Sequence, residues 1–201
     1  LQFVLSFVVI TEADMSKNEI QPGKGKVLIA EPFMKDPYFK RSVVLLTDHN
    51  ERGSTGFILN KAIELKLNSA LADFPGYEGS LYLGGPVGTD QLYYIHTLGK
   101  KITKSIAIID GLWWGGDFEK VKTLISNKEI ESDQIRFFVG YAGWDANQLQ
   151  KEMKEGSWIV TNAEINTLMD PHTKDLWPKV IKSLGGEYKM MASYPEDPQL
   201  N

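Results

Sequence analysis

The residues best suited to chemistry in this 201-residue chain fall in a few short stretches. Asp48 and His49 are adjacent, Glu51 is close by, and His96 follows far downstream. Two imidazoles and a carboxylate suit a metal site or an acid–base pair, because imidazole changes charge near neutral pH and binds metals when neutral. Their spacing does not force them together. The plainer reading is a turn histidine and a strand-end histidine that hydrogen-bond locally. Gly84-Gly85-Pro86-Val87-Gly88 offers backbone N–H groups that could cradle an anion. It has no Walker lysine and no helix signal after it, and Pro86 removes one donor, so a tight strand-to-loop turn is the simpler account. Gly23-Lys24-Gly25-Lys26 precedes a strand instead of following one, which excludes a phosphate loop. Asp48, His49, Asn60, Lys61, Gly84 and Gly85 thus form one candidate ligand-binding set, and it requires their loops to converge on a pocket.

Other chemistries find less support. Ser42, Ser54 and Ser80 lie outside any Gly-x-Ser-x-Gly elbow. His172 sits in a polar Asp-Pro-His-Thr loop and receives no role. The carboxylates are scattered without a paired acid–base signature. No catalytic residue, cofactor or metal site is assigned. The adjacent pair Trp113-Trp114 would point to opposite faces of a strand, whereas an extended loop would leave one indole exposed as a partner contact. That pair is the candidate partner-binding site.

Composition narrows the function classes. The chain has no cysteine, which excludes disulfides, thiolate zinc sites, iron–sulfur clusters and a thiol nucleophile. A net charge of −4 argues against a generally basic nucleic-acid surface. Lys100, Lys101 and Lys104 come closest to a basic cluster, and no helix-turn-helix pattern accompanies them, so direct DNA binding is not supported. The apolar start of the chain, Phe3 to Ile10, is too short to span a bilayer and lacks the basic beginning of a signal peptide. Met15 resembles an ordinary translation start, so residues 1–14 are expected to be an upstream extension and 15–201 a single domain. A cytoplasmic protein is expected, with no membrane segment.

The elements that must position these residues follow from apolar periodicity and turn chemistry. Strands are predicted over 27–30, 43–47, 56–60, 80–83, 92–96, 105–109, 135–139 and 157–161. The polar run 48–54 reads as a turn. A short helix capped by Asn68 is predicted over 68–73. Asp117 caps a helix whose inner face is Val121, Leu124 and Ile125. Gly140 and Gly143 bracket a turn, after which Asp145 caps a helix. Gln148 is placed to reach back to it, Trp144 and Leu149 have staple spacing, and Gly156 ends the helix. A last helix is predicted over 173–184, with Pro178 in its first turn, and a last strand over 188–192. Strands outnumber helices without alternating, which favours an α+β fold.

Several of these stretches together resemble one family. They are Gly25 to Pro32 with Asp36, Phe39 and Arg41-Ser42-Val43; His49, Gly53 and Gly56 to Lys61; Gly84-Gly85-Pro86-Val87; Gly140 to Trp144 with Gln148, Leu149, Glu152, Gly156 and Trp158; and Asp197 to Asn201. In this order they resemble the YqgE/AlgH family over residues 24–201. The resemblance implies a bifurcated, mostly antiparallel β-sheet curled into a pseudo-barrel and flanked by helices, in a bacterial cytosolic protein. Members carry the label of transcriptional regulators through the alginate-regulation member AlgH, and no catalytic residues come with the family. The chain departs from its pattern at Asn147, where glycine is usual, and in the aromatic Gly111 to Gly116 stretch. The expectation is therefore a non-enzymatic regulatory protein. The alternative is a small-ligand or nucleotide-binding protein, or an enzyme, using the Asp48/His49, Asn60/Lys61 and Gly84-Gly85-Pro86 set.

Overall fold

The structure, a computed structural model, describes residues 20–71, 73–162 and 164–194. Residues 1–14, expected to be an extension, and the C-terminal stretch 197–201 lie outside the described residues.

Ten strands form one sheet among these residues. Five come early in the chain: β1 (Val27–Ala30), β2 (Val43–Asn50), β3 (Gly53–Ile58), β4 (Ala62–Ile63) and β5 (Leu81–Leu83). A one-turn helix α1 (Leu67–Ala70) stands between β4 and β5. The middle holds β6 (Val87–His96), β7 (Ile106–Ile109), β8 (Leu112–Trp114), helix α2 (Phe118–Ser126) and the long β9 (Ile135–Asp145). Then come α3 (Gln148–Lys154), β10 (Trp158–Thr161), α4 (Ile165–Leu168), α5 (Leu176–Ser183) and α6 (Tyr188–Met191). The main path runs β10-β1-β2-β3-β9-β6-β8-β7, and its two ends do not pair, so no barrel closes. Pairing is antiparallel except between β5 and β9. The fold is α+β with a bifurcated sheet.

The fork lies on β9. Its first half pairs with β5, Phe137 opposite Leu81 and Val139 opposite Leu83. Its second half pairs on the same flank with β3, Ala142 opposite Gly56 and Asp145 opposite Gly53. Gly140, at φ +70°, is the hinge between them. The backbone approaches here are too close for side chains: a Cβ on Gly84 would stand 2.2 Å from the Gly140 carbonyl oxygen. Gly84 N–H donates to the Val139 carbonyl, and its own carbonyl accepts from Ile58 N–H. The glycine pair therefore stitches both branches together, a use of glycine that depends on its missing side chain.

Apolar clusters fill the space on the sheet faces. The largest joins Val27, Leu45, Phe57 and Phe138 to Leu176, Trp177 and Ile181 of α5. A second seats Val121, Leu124 and Ile125 of α2 against Phe137, as their spacing requires. Asp117 caps α2 by accepting from Lys120 N–H at 3.2 Å. A third holds Trp144, Leu149 and Trp158.

Several local expectations need correction. The turn at 48–54 shrinks to Glu51-Arg52, because strand pairing continues to Asn50 opposite Gly53. Side chains support that tight turn: Asn50 Oδ1 accepts from Arg52 N–H, and Asn50 Nδ2 donates to Asp48 Oδ2. No turn forms at 140–143, since β6 pairs with β9 as far as Tyr141 and β3 holds it extended from Ala142 to Asp145. Helix α3 begins after Asn147, not Asp145, although Gln148 does accept from Asp145 N–H at 2.9 Å. The helix at 67–70 starts one residue before Asn68, which caps nothing. Residues 188–191 are helical instead of extended. There Tyr188, Met191 and Ala192 reach the large cluster at helical spacing, which outweighs local strand preference.

Candidate functional site

The β2–β3 hairpin organises the candidate residues into two places. At its root, Asn60 follows β3 and braces the start of β2. Its Oδ1 accepts from Val43 N–H at 2.9 Å, and its Nδ2 donates to the Arg41 carbonyl at 2.8 Å. At the tip, Asp48 and His49 sit beside the Glu51-Arg52 turn. Five residues of extended chain separate Val43 from Asp48, roughly 16 Å. Asp48 and His49 therefore do not meet Asn60 and Lys61. Gly84 and Gly85 are buried at the fork and line neither place. The six-residue set does not converge on one pocket.

The tip depression is open, about 500 Å³, and lined by Asp48, Arg52, Ser54, Tyr141, Asp145 and Gln148 among others. Its charges are mixed. His49 Nδ1 lies 2.7 Å from Ser54 Oγ, a cross-strand pair at opposed positions. Behind the neighbouring wall Glu152 ties two indoles: its Oε2 accepts from Trp144 Nε1 at 2.9 Å and Trp158 Nε1 at 2.8 Å, and its Oε1 accepts from Gln148.

The root depression, about 490 Å³, has a different character. Among the described residues Lys40, Arg41, Lys61 and Lys174 line it, together with Asn60, Thr173 and Trp177. Arg41 is held from several sides. Its backbone has φ +51°, a left-handed value that costs a non-glycine residue about 1 kcal/mol. Its guanidinium carbon lies 4.4 Å from the Trp177 ring centroid, and one of its nitrogens donates to the Tyr194 carbonyl. Arg41 Nε is buried and has no hydrogen-bond acceptor among the described residues. Trp177 is itself fixed, donating to the Ala30 carbonyl at 2.9 Å.

His96 belongs to neither place. It is fully buried at the end of β6. Its Nδ1 accepts from Leu98 N–H, so Nε2 carries the proton, 3.2 Å from the Gly115 carbonyl and 3.0 Å from Ser105 Oγ. Burial holds its pKa below the ordinary value, partly offset by the bond to Gly115. Trp113 and Trp114 lie on β8, on a strand as one of the two expectations had it, and both are half-buried. Trp113 stacks on His96, and Trp114 packs against the large cluster, so neither indole stands out as an exposed contact. Among the described residues no group of three or more His, Cys, Asp or Glu is arranged to hold a metal ion. No helix there is long and apolar enough to cross a membrane.

Sequence reasoning missed three residues. Arg41 was visible only as part of a motif, since nothing local announces a left-handed arginine. Glu152 carried a signal, four residues beyond Gln148 and between two tryptophans, but the pairing needs β9 and β10 brought together. Arg136 sits in an apolar run and is 3% exposed. Its guanidinium donates to the Leu59 and Asp170 carbonyls and lies over the Tyr82 ring at 4.8 Å, and burial lowers its pKa.

Known proteins share this sequence and fold. A family model described as AlgH-like (DUF179) matches residues 27–189. A UPF0301 protein of Cytophaga hutchinsonii is 45% identical over 179 residues, covering 89% of this chain and 98% of that protein. A UPF0301 protein of Bacteroides thetaiotaomicron is 42% identical, covering 93% of this chain and 95% of its own length. The solution structure of the AlgH protein from Pseudomonas aeruginosa matches with a TM-score of 0.69 at 26% identity, over 89% of this chain and 98% of that one. The crystal structure of protein DIP2367 from Corynebacterium diphtheriae matches with a TM-score of 0.72, over 92% of this chain and 100% of that one. At 22% identity the last speaks for the fold alone.

Proposed function

The chain belongs to the AlgH-like family, and from that premise we propose that it is a regulatory protein that acts by binding, influences transcription without contacting DNA itself, and works in the cytoplasm. One observation carries this reading. Side chains the sequence offered for ligand or acid–base work serve as struts: Asn60 braces two backbone groups, and His96 is buried with both ring nitrogens engaged. Groups so committed suit a rigid binding scaffold better than turnover. The acidic net charge of −4 fits the absence of DNA contact.

Two measurements test it. Fluorescence anisotropy with genomic fragments from the source organism, at near-physiological salt with excess competitor DNA, is expected to give no saturable binding. Deleting the gene is expected to change a defined set of transcripts, restored by supplying the chain. Saturable DNA binding would make the protein a direct regulator. A turnover abolished by His49→Ala or Asn60→Ala would make it an enzyme, and unchanged transcripts would remove the regulatory role.

A second reading, small-ligand binding, is favoured by the cation-lined root depression. It retains Asn60 and Lys61 from the sequence-derived set and sets aside Gly84 and Gly85. Asp48 lines the separate tip depression, and His49 stands next to it on β2.

A further inference from the structure

We propose that the small cavity beside Arg136 binds a small monocarboxylate, of the size of acetate or propionate, on the guanidinium. The inference goes beyond the regulatory reading and uses neither the tip nor the root depression. The cavity lies where β5 and the segment before it, the start of β9 and the turn after α4 meet. Tyr77, Ser80, Tyr82, Arg136, Met169 and Pro171 are among its lining. Among the described residues Arg136 is the only Lys, Arg, Asp or Glu that is buried. A guanidinium keeps its proton in a protein, so the fold encloses a permanent charge here. Enclosing a charge is costly unless oxygen atoms surround it.

The surroundings of Arg136 meet only part of that need. Its Nη atoms donate to the Leu59 carbonyl at 3.2 Å and the Asp170 carbonyl at 2.6 Å, and the Tyr82 ring covers one face. A guanidinium has five N–H donors, and among the described residues these two carbonyls take only one each. The Asp170 carboxylate acts on Arg136 at a distance, while its oxygens accept from Lys179 Nζ and His172 N–H. The donors left over form part of a planar fork, which suits the two oxygens of a carboxylate. Size and charge set the ligand class. A volume of about 120 Å³ matches roughly four water-sized groups. Acetate and propionate fit it, and a nucleotide or sugar phosphate does not. Glu78 also lines the cavity and is exposed. One cation inside and one acid at the rim favour a single negative charge over the charge of about −1.5 to −2 on a phosphoryl group. Ile135, Met169 and Pro171 supply carbon surface for a short aliphatic tail. Tyr77 is held in that wall by donating to the Ile135 carbonyl at 2.9 Å.

The test is a titration of the 201-residue chain at neutral pH, followed by amide and arginine N–H chemical shifts. The probes are sodium acetate, propionate, benzoate and orthophosphate, each against sodium chloride of equal ionic strength. Acetate and propionate are expected to move Arg136 Nε–H and the Tyr82 and Met169 amides saturably. Orthophosphate is expected to bind at least roughly tenfold more weakly, and benzoate to be excluded by its size. Arg136→Lys keeps the charge and gives up the fork, so acetate should bind roughly tenfold more weakly to it. Should that variant lose its fold, Glu78→Gln decides. It removes an exposed charge, leaves folding unchanged and is expected to tighten acetate roughly threefold at low salt. Glu155→Gln, an exposed acid at the end of α3 and outside the cavity, is the charge control and is expected to bind as the parent does. Shifts that stay linear in acetate would overturn the proposal, as would equal affinity for orthophosphate or benzoate. An affinity unmoved by Glu78→Gln, or moved equally by Glu155→Gln, would overturn it too. The regulatory reading is judged separately, by transcript changes and DNA titration.

Discussion

The two ends of one hairpin differ in how their charges are arranged. At the tip, Asp48, Arg52 and Asp145 share an open depression, and Asp48 also accepts from Asn50 and from His49 N–H. Charge there is mixed within the protein. At the root, Asn60 fixes the backbone while, among the described residues, the charged side chains lining the depression are Lys40, Arg41, Lys61 and Lys174. The same β2–β3 ladder supports both ends, so the difference lies in side chains brought in from elsewhere: β9 and α3 at the tip, the 173–175 turn and α5 at the root. One ladder thus carries two unlike surroundings, each set by the segments that pack against its end.

Substitutions can separate the two ends, and the largest effect is expected where they share support. Gly84→Ala would place a Cβ 2.2 Å from the Gly140 carbonyl oxygen, against backbone that cannot swing aside. It should cost more than about 3 kcal/mol and disturb tip and root together, read by urea unfolding. Glu152→Ala should act on the tip side alone. It leaves the indole N–H groups of Trp144 and Trp158, both buried, without their acceptor, for a loss of roughly 3 kcal/mol and a changed tryptophan emission. Asn60→Ala should act on the root alone. Losing the bonds to buried Val43 and to the Arg41 carbonyl should cost about 2 kcal/mol in urea unfolding. Asn147→Gly is the smallest change. Asn147 has φ +64°, so glycine should stabilise the fold slightly, by about 0.5 kcal/mol, seen as a small rise in the urea midpoint without altering either depression.

That last position shows how much of the fold was legible in the sequence. The family resemblance marks 147 as a place where glycine is usual, and a usual glycine signals a positive φ, which Asn147 does adopt. Helix α2 was equally readable, because its cap and its inner face lie within ten residues of one another. The fork was not. Gly84 and Gly140 look like turn glycines locally, and only the pairing of β9 with β3, β5 and β6 turns them into close backbone contacts. The candidate site failed to converge for the same reason: Asp48 and Asn60 look close in sequence, but an extended strand holds them apart. Asn60 and Lys61 line the root depression. Lys174 and Trp177 could not be joined to them from sequence, because more than a hundred residues intervene.

The most direct test of the contrast between the two ends is a pair of variants, Glu152→Ala and Asn60→Ala, each followed by amide and indole chemical shifts. The account predicts that Glu152→Ala moves Gly143, Gln148 and the Trp144 indole and leaves Val43, Ala62 and the Trp177 indole in place, whereas Asn60→Ala does the reverse. Changes spread over both ends by either variant would contradict it.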